Sequence, residues 1–184
     1  MCLMVGCGSG QKVSQPEKYS QRMVESHGLV DFYCNRHHQA ELDSASWDYV
    51  SGLVANAVLK AWTLYPEKTE YYDAVKAFAD NSTTPDGSVI LNAKGESALR
   101  PSNIDDLPAG NVFFTLYKEE LKKGNTKDAN RYKNAASLIR NKLKYDHSRI
   151  PEGLPGAGGF FHKAVYPNQM WLDGLYMGST IYAQ

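Results

Sequence analysis

The succession of helix-forming stretches constrains this chain most, because almost none of it alternates as a β-strand would. Six stretches have helical character, and turn residues such as proline and glycine separate them. The second stretch is apolar on most sides, whereas the third and fifth are charged and amphipathic. The predicted helices span about residues 14–36, 47–65, 69–81, 106–123 and 128–144, and the sixth follows Pro167. The pattern predicts an all-α fold of paired helices.

The even-numbered predicted helices share a start in which an aromatic or acidic residue precedes a glycine. The three starts lie at residues 47–52, 105–110 and 171–174. Alternation of apolar and amphipathic helices is typical of a ring of hairpins with inner and outer helices, and the loops before the inner helices then gather at one mouth. Three hairpins do not close a ring. We therefore expect an incomplete toroid of about six helices that belongs to a larger one.

Composition places the chain among ordinary globular proteins. Its 184 residues fit one domain, and twenty basic residues balance twenty acidic ones. This balance gives no indication of a nucleic-acid partner. No apolar run approaches the length of about 20 residues that crosses a bilayer. Twelve tyrosines and three tryptophans suit stacking on sugars as well as core packing.

Near the start, Leu3 to Cys7 (L-M-V-G-C) resembles the end of a bacterial lipoprotein signal. We expect residues 1–13 to be the remnant of such a signal with a short tether, and residues 14–184 to be the folded domain. Lipidation at Cys7 would place the protein in the periplasm or on the outer membrane. The alternative is a meaningless apolar start and a cytoplasmic protein. The three cysteines have no spacing typical of a disulfide framework or a metal site.

Residues 162–177 concentrate the chemistry of the chain. Sixteen positions hold one histidine, two tyrosines, one tryptophan and a single acidic residue, Asp173. The apolar positions recur at helical spacing. These positions are Met170, Trp171, Leu175 and Tyr176. Local sequence leaves two interpretations of Asp173 open: a helix cap, which the helix dipole favours, or a carboxylate placed for chemistry.

Three motifs resemble those of a known enzyme family. They are W-D-Y-x-x-G-L-V from Trp47, I-D-D-L-P-A-G from Ile104, and the long G-G-F-F-H-K-A-V-Y-P-N-Q-M-W-L-D-G-L-Y-M. They look like the unsaturated glucuronyl and rhamnogalacturonyl hydrolases, glycoside hydrolase families 88 and 105. The resemblance covers about residues 19–184 and corresponds to the amino-terminal half of an (α/α)6 barrel.

The resemblance implies a reaction on oligosaccharides that end in an unsaturated uronic acid. A carboxylic acid protonates C4 of the enol ether, water adds at C5, and the hemiketal opens to release the sugar. The resemblance assigns the general acid/base role to Asp173 and a supporting role to Asp105. Asp106 leaves an ambiguity, since one of the two adjacent carboxylates is expected to be only a helix cap. The resemblance does not choose between glucuronyl and galacturonyl ends.

Four further residues are candidates for substrate contact. His162 matches a family histidine near the substrate, and Trp171 is the expected stacking platform, with core packing as its alternative. For Trp47 and Tyr49 the two interpretations are level. The pair His37-His38 with Glu41 does not predict a metal site, because adjacent histidines point to different faces of a helix. The family needs no metal, and we expect no cofactor.

Half a toroid leaves apolar faces of its inner helices uncovered. We therefore expect self-association, or a missing carboxy-terminal half, to cover them. The resemblance favours a hydrolase of unsaturated uronyl oligosaccharides. The alternative is a catalytically incomplete carbohydrate-binding or remnant module. A helical-repeat scaffold without sugar chemistry fits less well, because a scaffold needs no acid beside Trp171.

Overall fold

The computed structural model describes residues 47–184 of the chain. In this range the protein is helical, and its only β-pairings are isolated bridges. The helices are α1 (Tyr49–Leu64), α2 (Thr69–Asn81), α3 (Asn111–Lys122), α4 (Thr126–Asn141), α5 (Gly174–Met177) and α6 (Ser179–Tyr182). The prediction of an all-α chain is confirmed for this range.

Several predictions concern residues that the structure does not describe. The first predicted helix, the lipoprotein-like start and the three cysteines all precede residue 47. The His37-His38-Glu41 cluster also lies outside the described range. These predictions therefore stay predictions.

Two helical hairpins form the body of the described part. Helix α1 packs on α2, α3 packs on α4, and α3 also contacts α1 and α2. The indole of Trp47 stacks between these hairpins against the rings of Phe78 and Phe113. Since Trp47 is 4% exposed, it is a core residue.

Helix α1 begins where its sequence provides a cap. The side chain of Asp48 accepts a hydrogen bond from the backbone N–H of Ser51 at 2.8 Å, which satisfies a free donor of the first turn. Gly52 follows on the buried face, and a Cβ atom built there would lie 2.5 Å from Cα of Ala109. Glycine therefore allows α1 to approach the short 3-10 turn Pro108–Gly110.

Two long irregular loops precede α3 and α5. In the first, Thr83 pairs with Ile90 and Leu91 pairs with Ser97 in antiparallel bridges. In the second loop, the two ends of the segment 160–163 form bridges with different parts of the chain. Phe160 pairs with Arg149 on one side. Lys163 pairs with Asn103 on the other. The first of these two bridges lies within the loop after α4, and the second attaches that loop to the turn before α3.

The fourth and fifth predicted helices have different bounds in the structure. The fourth predicted helix begins as the 3-10 turns Ile104–Asp106 and Pro108–Gly110, and α-helix starts only at Asn111. The fifth starts two residues earlier than expected, because Asn125 caps it. It passes into the π-helical turn Lys142–Asp146. The expected bounds were therefore close for the fifth helix.

The prediction that a sixth helix starts at Pro167 is wrong. Asn168 adopts a positive φ of 61°, which ends any helical turn begun at the proline. Residues 167–173 form turns, and the helix that follows is the short α5. Apolar side chains of this stretch are exposed, with Met170 at 54% and Leu175 at 68%.

A membrane-spanning helix is not found among residues 47–184. None of the helices in this range combines the length and the apolar character that crossing a bilayer needs.

Candidate active site

The two adjacent carboxylates of the 3-10 turn Ile104–Asp106 have different environments. Asp106 is 1% exposed and accepts hydrogen bonds from the backbone N–H and the guanidinium of Arg100, and from the side chain of Asn103. The carbonyl oxygen of Asp106 accepts a further bond from the indole N–H of Trp47 at 2.6 Å. Asp106 therefore holds the turn together and is not free to contact a substrate.

Asp105 points the other way, toward the loop that carries His162. Its Oδ2 lies 2.5 Å from Nζ of Lys163, and its Oδ1 lies 3.4 Å from Nε2 of His162. The two adjacent carboxylates therefore point to different sides of the turn. Asp105 joins the other candidate residues, and neither aspartate is the cap of the turn, since Asn103 accepts from the backbone N–H of Asp105.

The backbone of His162 is fixed from both sides. Its N–H donates to the carbonyl of Gln169 at 2.7 Å, and its carbonyl accepts from the N–H of Ile104 at 3.0 Å. The second bond connects the histidine directly to the turn that carries Asp105. The imidazole itself is buried, with 3% of the residue exposed.

Asp173 lies on the far side of the same imidazole. Its Oδ1 is 3.6 Å from Nδ1 of His162, and 48% of its side chain is exposed. Its side chain caps no backbone N–H of α5, although the residue stands at the start of that helix. The carboxyl group of Asp173 therefore faces His162 on one side and solvent on the other.

Aromatic rings support this arrangement. The indole of Trp171 stacks on His162 with ring centroids 4.2 Å apart and planes 7° from parallel. Tyr166 also stacks on Trp171, at 5.2 Å and 22°. The indole N–H donates to the side chain of Gln169 at 3.1 Å. Trp171 is still 44% exposed, so part of it remains open to a ligand.

A cleft of about 480 Å³ opens beside these residues. Its walls combine the buried His162 with apolar side chains, as small-ligand sites commonly do. The other side chains that line it include Ile104, Phe160, Met170, Trp171, Leu172 and Leu175. The cleft lies where His162 and Trp171 meet α5.

The structure brings together four of the six predicted site residues, namely Asp105, His162, Trp171 and Asp173. Trp47 is not among them, because it lies in the core and only its indole N–H reaches the turn that carries Asp105. Core packing, one of its two interpretations, describes its environment. Tyr49 is 44% exposed in the first turn of α1. It stays a candidate for substrate contact.

Two residues of the site had no role in the sequence analysis. Lys163 pairs with Asp105, and Tyr166 stacks on Trp171. Both lie within the long motif, and this position is the sequence signal that could have identified them. The bridge that places Lys163 opposite Asn103 depends on tertiary structure.

A second histidine lies behind the site. His147 is 6% exposed, and its Nε2 lies 2.7 Å from the carbonyl oxygen of Phe161. Burial lowers the pKa of His147, because the charged ring loses its hydration. The neutral ring donates to this carbonyl and fixes the residue next to His162. Across residues 47–184, no group of three or more potential ligands is placed to hold a metal ion.

Comparison with known proteins identifies the family. The family model described as Glycosyl Hydrolase Family 88 matches residues 21–184. The chain belongs to glycosyl hydrolase family 88. The resemblance stated from the three motifs is confirmed. This match also includes residues 21–46, which precede the described range.

A solved structure supports the fold of this family 88 chain. It is a family 105 glycoside hydrolase from C. acetobutylicum ATCC 824, with 30% sequence identity and a TM-score of 0.64. The match covers 90% of this chain and 38% of that one. The family 88 chain therefore spans well under half the length of this relative. Its hairpins agree with the predicted incomplete toroid of (α/α)6 type.

Proposed function

We propose that this chain carries the acid/base site of a glycoside hydrolase for oligosaccharides that end in an unsaturated uronic acid. One observation carries the proposal: His162 lies between two carboxylates, 3.4 Å from Asp105 and 3.6 Å from Asp173, beside an open cleft. Family membership supports hydrolysis of glycosides, and the resemblance of the three motifs supports the unsaturated uronyl substrate.

In the proposed reaction, the protonated carboxyl of Asp173 donates its proton to C4 of the enol ether. Water then adds at C5 and returns a proton to Asp173, so that one group serves as acid and then as base. The hemiketal formed at C5 opens and releases the next sugar. The exposure of Asp173 supports this role, because the reacting carbon must come within hydrogen-bond distance of its oxygen.

Asp105 has the supporting role in this proposal. Its pairing with Lys163 and its closeness to His162 suit a group that orients the imidazole beside the reacting atoms. Asp106 has no such role, because Arg100 and Asn103 already occupy its carboxylate. The structure therefore supports Asp105 as the second carboxylate of the site.

The sugar ring would lie in the cleft against the exposed part of Trp171. An indole offers a flat apolar face to the C–H groups of a sugar, and aromatic stacking of this kind is common at binding sites. Tyr49 is the second proposed contact. The buried position of Trp47 supports a packing role for that residue. Glucuronyl and galacturonyl ends both suit this arrangement.

The experiment follows the ultraviolet absorbance of an unsaturated uronyl disaccharide during incubation with the chain. Hydration removes the conjugated double bond, so the absorbance falls as the reaction proceeds. We expect this fall with the original chain and a loss of roughly 10²–10⁴-fold in rate with Asp173→Asn, which is the usual contribution of a general acid. A control variant, Asp86→Asn, alters an exposed turn carboxylate and should leave the rate unchanged.

A second candidate is binding of the same sugars without turnover. The partly exposed indole of Trp171 beside the cleft favours it, because such a surface binds a sugar with or without turnover. Isothermal titration of the disaccharide separates the two candidates. Heat of binding with constant absorbance supports binding alone, whereas absence of both binding and turnover in a folded chain contradicts both candidates.

A further inference from the structure

Three aromatic rings contact one another in sequence beside the cleft. The indole of Trp171 stacks on the imidazole of His162 with ring centroids 4.2 Å apart, and the ring of Tyr166 stacks on the same indole at 5.2 Å. The planes of these pairs are 7° and 22° from parallel. The indole therefore contacts both of the other rings, and its orientation depends on two neighbours.

The two neighbours of the indole differ in their relation to the cleft. His162 is buried, whereas Tyr166 is 37% exposed. Among the described residues that line the cleft are His162 and Trp171, and Tyr166 is not one of them. The ring of Tyr166 therefore supports a cleft residue from outside the cleft, where a ligand in the cleft need not touch it.

The backbone of Tyr166 is attached to the turn that begins at His162. Its N–H donates to the carbonyl of Lys163 at 2.9 Å, and its carbonyl accepts from the N–H of Gln169 at 3.2 Å. The carbonyl of Gln169 accepts in turn from the N–H of His162 at 2.7 Å. These bonds close residues 162–169 into one turn and fix the position from which the side chain of Tyr166 extends.

The indole of Trp171 follows this turn and depends more on its side-chain contacts. Its N–H donates to the side chain of Gln169 at 3.1 Å in an exposed hydrogen bond. Because water competes for an exposed bond of this kind, the bond contributes little to the orientation of the ring. A stacked aromatic pair favours the stacked arrangement by roughly two- to tenfold in population. The contact with Tyr166 is therefore large enough to decide where the indole lies.

We propose that Tyr166 is a positioning residue that holds the indole of Trp171 against the imidazole of His162. It acts through Trp171 and makes no contact with the substrate. The kinetic effect of this support rests on the proposed function, because it requires a reaction at the cleft, whereas the stack of rings exists without substrate. A residue outside the cleft then contributes to the geometry inside it.

The first measurement needs no substrate. Nuclear Overhauser cross-peaks between the imidazole protons of His162 and the indole protons of Trp171 report the distance between the two rings in the full chain. The signals are assigned from their loss in His162→Gln and in Trp171→Phe. In Tyr166→Ala the ratio of stacked to unstacked indole should fall by roughly two- to tenfold, so the cross-peaks weaken. Tyr166→Phe keeps the ring and should keep the cross-peaks.

The second measurement follows hydration of the unsaturated uronyl disaccharide by absorbance. In Tyr166→Ala we expect kcat to fall by roughly two- to tenfold, with a smaller change in KM, because the ring does not line the cleft. Tyr166→Phe should retain the original kcat. In the double variant Tyr166→Ala/Trp171→Ala, kcat should equal that of Trp171→Ala alone, since Tyr166 has no indole left to hold.

Two further variants complete the test. Tyr166→Ser is a second variant without the ring, and either ring-free variant that folds decides the result. Tyr145→Ala removes an exposed tyrosine outside the cleft and should leave both the cross-peaks and kcat unchanged.

Unchanged cross-peaks in a folded variant without the ring would overturn the proposal. Equal losses in Tyr166→Phe and Tyr166→Ala would overturn it too, because the hydroxyl group and not the ring would then be responsible. So would a double variant whose kcat falls by the product of the two single effects. A chain without turnover would refute the proposed function alone, and the cross-peaks would still decide whether Tyr166 holds the stack.

Discussion

The imidazole of His162 stacks on the indole of Trp171, with their centroids 4.2 Å apart and their planes 7° from parallel. Hydrogen bonds to Ile104 and Gln169 fix the histidine backbone, and the indole packs on the ring itself and helps to hold it. Trp171 thus has a structural task in the site besides the sugar stacking expected from sequence. The two tasks predict different kinetic effects.

Truncation of Trp171 should lower turnover more than it weakens substrate binding. Loss of the indole frees the imidazole to turn away from Asp173, and misplacement of a catalytic group by about 1 Å can cost roughly 10²-fold in rate. We expect a fall of about this size in kcat for Trp171→Ala and a smaller fall for Trp171→Phe, measured by the absorbance assay. Tyr145→Ala, at an exposed ring outside the cleft, is the control. A rise in KM with unchanged kcat would show stacking on the sugar alone.

The adjacent carboxylates Asp105 and Asp106 should differ in their effect on folding. Asp106→Asn replaces one acceptor oxygen with an amide NH2, so the buried side chain of Asn103 and the more exposed donors of Arg100 are left with one acceptor oxygen to share. We expect a loss of about 2–3 kcal/mol in the free energy of unfolding, measured by urea denaturation. Asp105→Asn should cost less, because its partner Lys163 reaches solvent. The reverse order would contradict the assignment of Asp106 to the structure and Asp105 to the site.

Replacement of Gly52 should destabilise the contact between α1 and the turn at residues 108–110. In Gly52→Ala, the new Cβ lies 2.5 Å from Cα of Ala109, and backbone must move to relieve the clash. The expected loss is about 1–3 kcal/mol in unfolding free energy. Gly174→Ala is the matched control, because its Cβ meets only Cδ1 of Ile104 at 3.9 Å. Equal losses in both variants would refute the close-approach explanation.

The ion pair between Lys76 and Asp128 should make stability depend on pH below neutrality. Its atoms lie 2.7 Å apart, and the hydrogen bond and charge of Lys76 lower the pKa of Asp128 in the folded state. A depressed carboxyl pKa contributes stability above the unfolded pKa of about 4, and this contribution disappears as pH falls through the folded pKa.

Asp128→Asn should therefore lower the unfolding free energy by about 1 kcal/mol at pH 7, since both partners are partly exposed. The difference from the original chain should shrink as the pH falls below about 4. Thermal unfolding at a series of pH values measures it. Lys76→Met should lose this pH-dependent part together with the contribution of the Lys76–Asp80 pair. A difference that stays constant down to low pH would mean that the carboxylate charge does not contribute.

Much of the fold was predictable because it depends on local patterns. Helix α2 has the bounds that its amphipathic spacing predicts, Thr69–Asn81. The sixth predicted helix failed for a local reason as well, since Asn168 takes a positive φ that apolar periodicity does not reveal. Its exposed apolar residues satisfy a helical spacing without forming a helix from Pro167.

Some features of the site were likewise predictable from sequence, and others were not. The sequence by itself determined the family, the helical class and the identity of the candidate acids, because motif letters and hydrophobic spacing are properties of the chain. Tertiary structure decided which of Asp105 and Asp106 faces His162, that Trp47 is buried, and that Lys163 pairs with Asp105. Those outcomes depend on side-chain directions and on contacts between segments distant in sequence, which only the packing of the turn before α3 against the loop after α4 brings within a few ångströms.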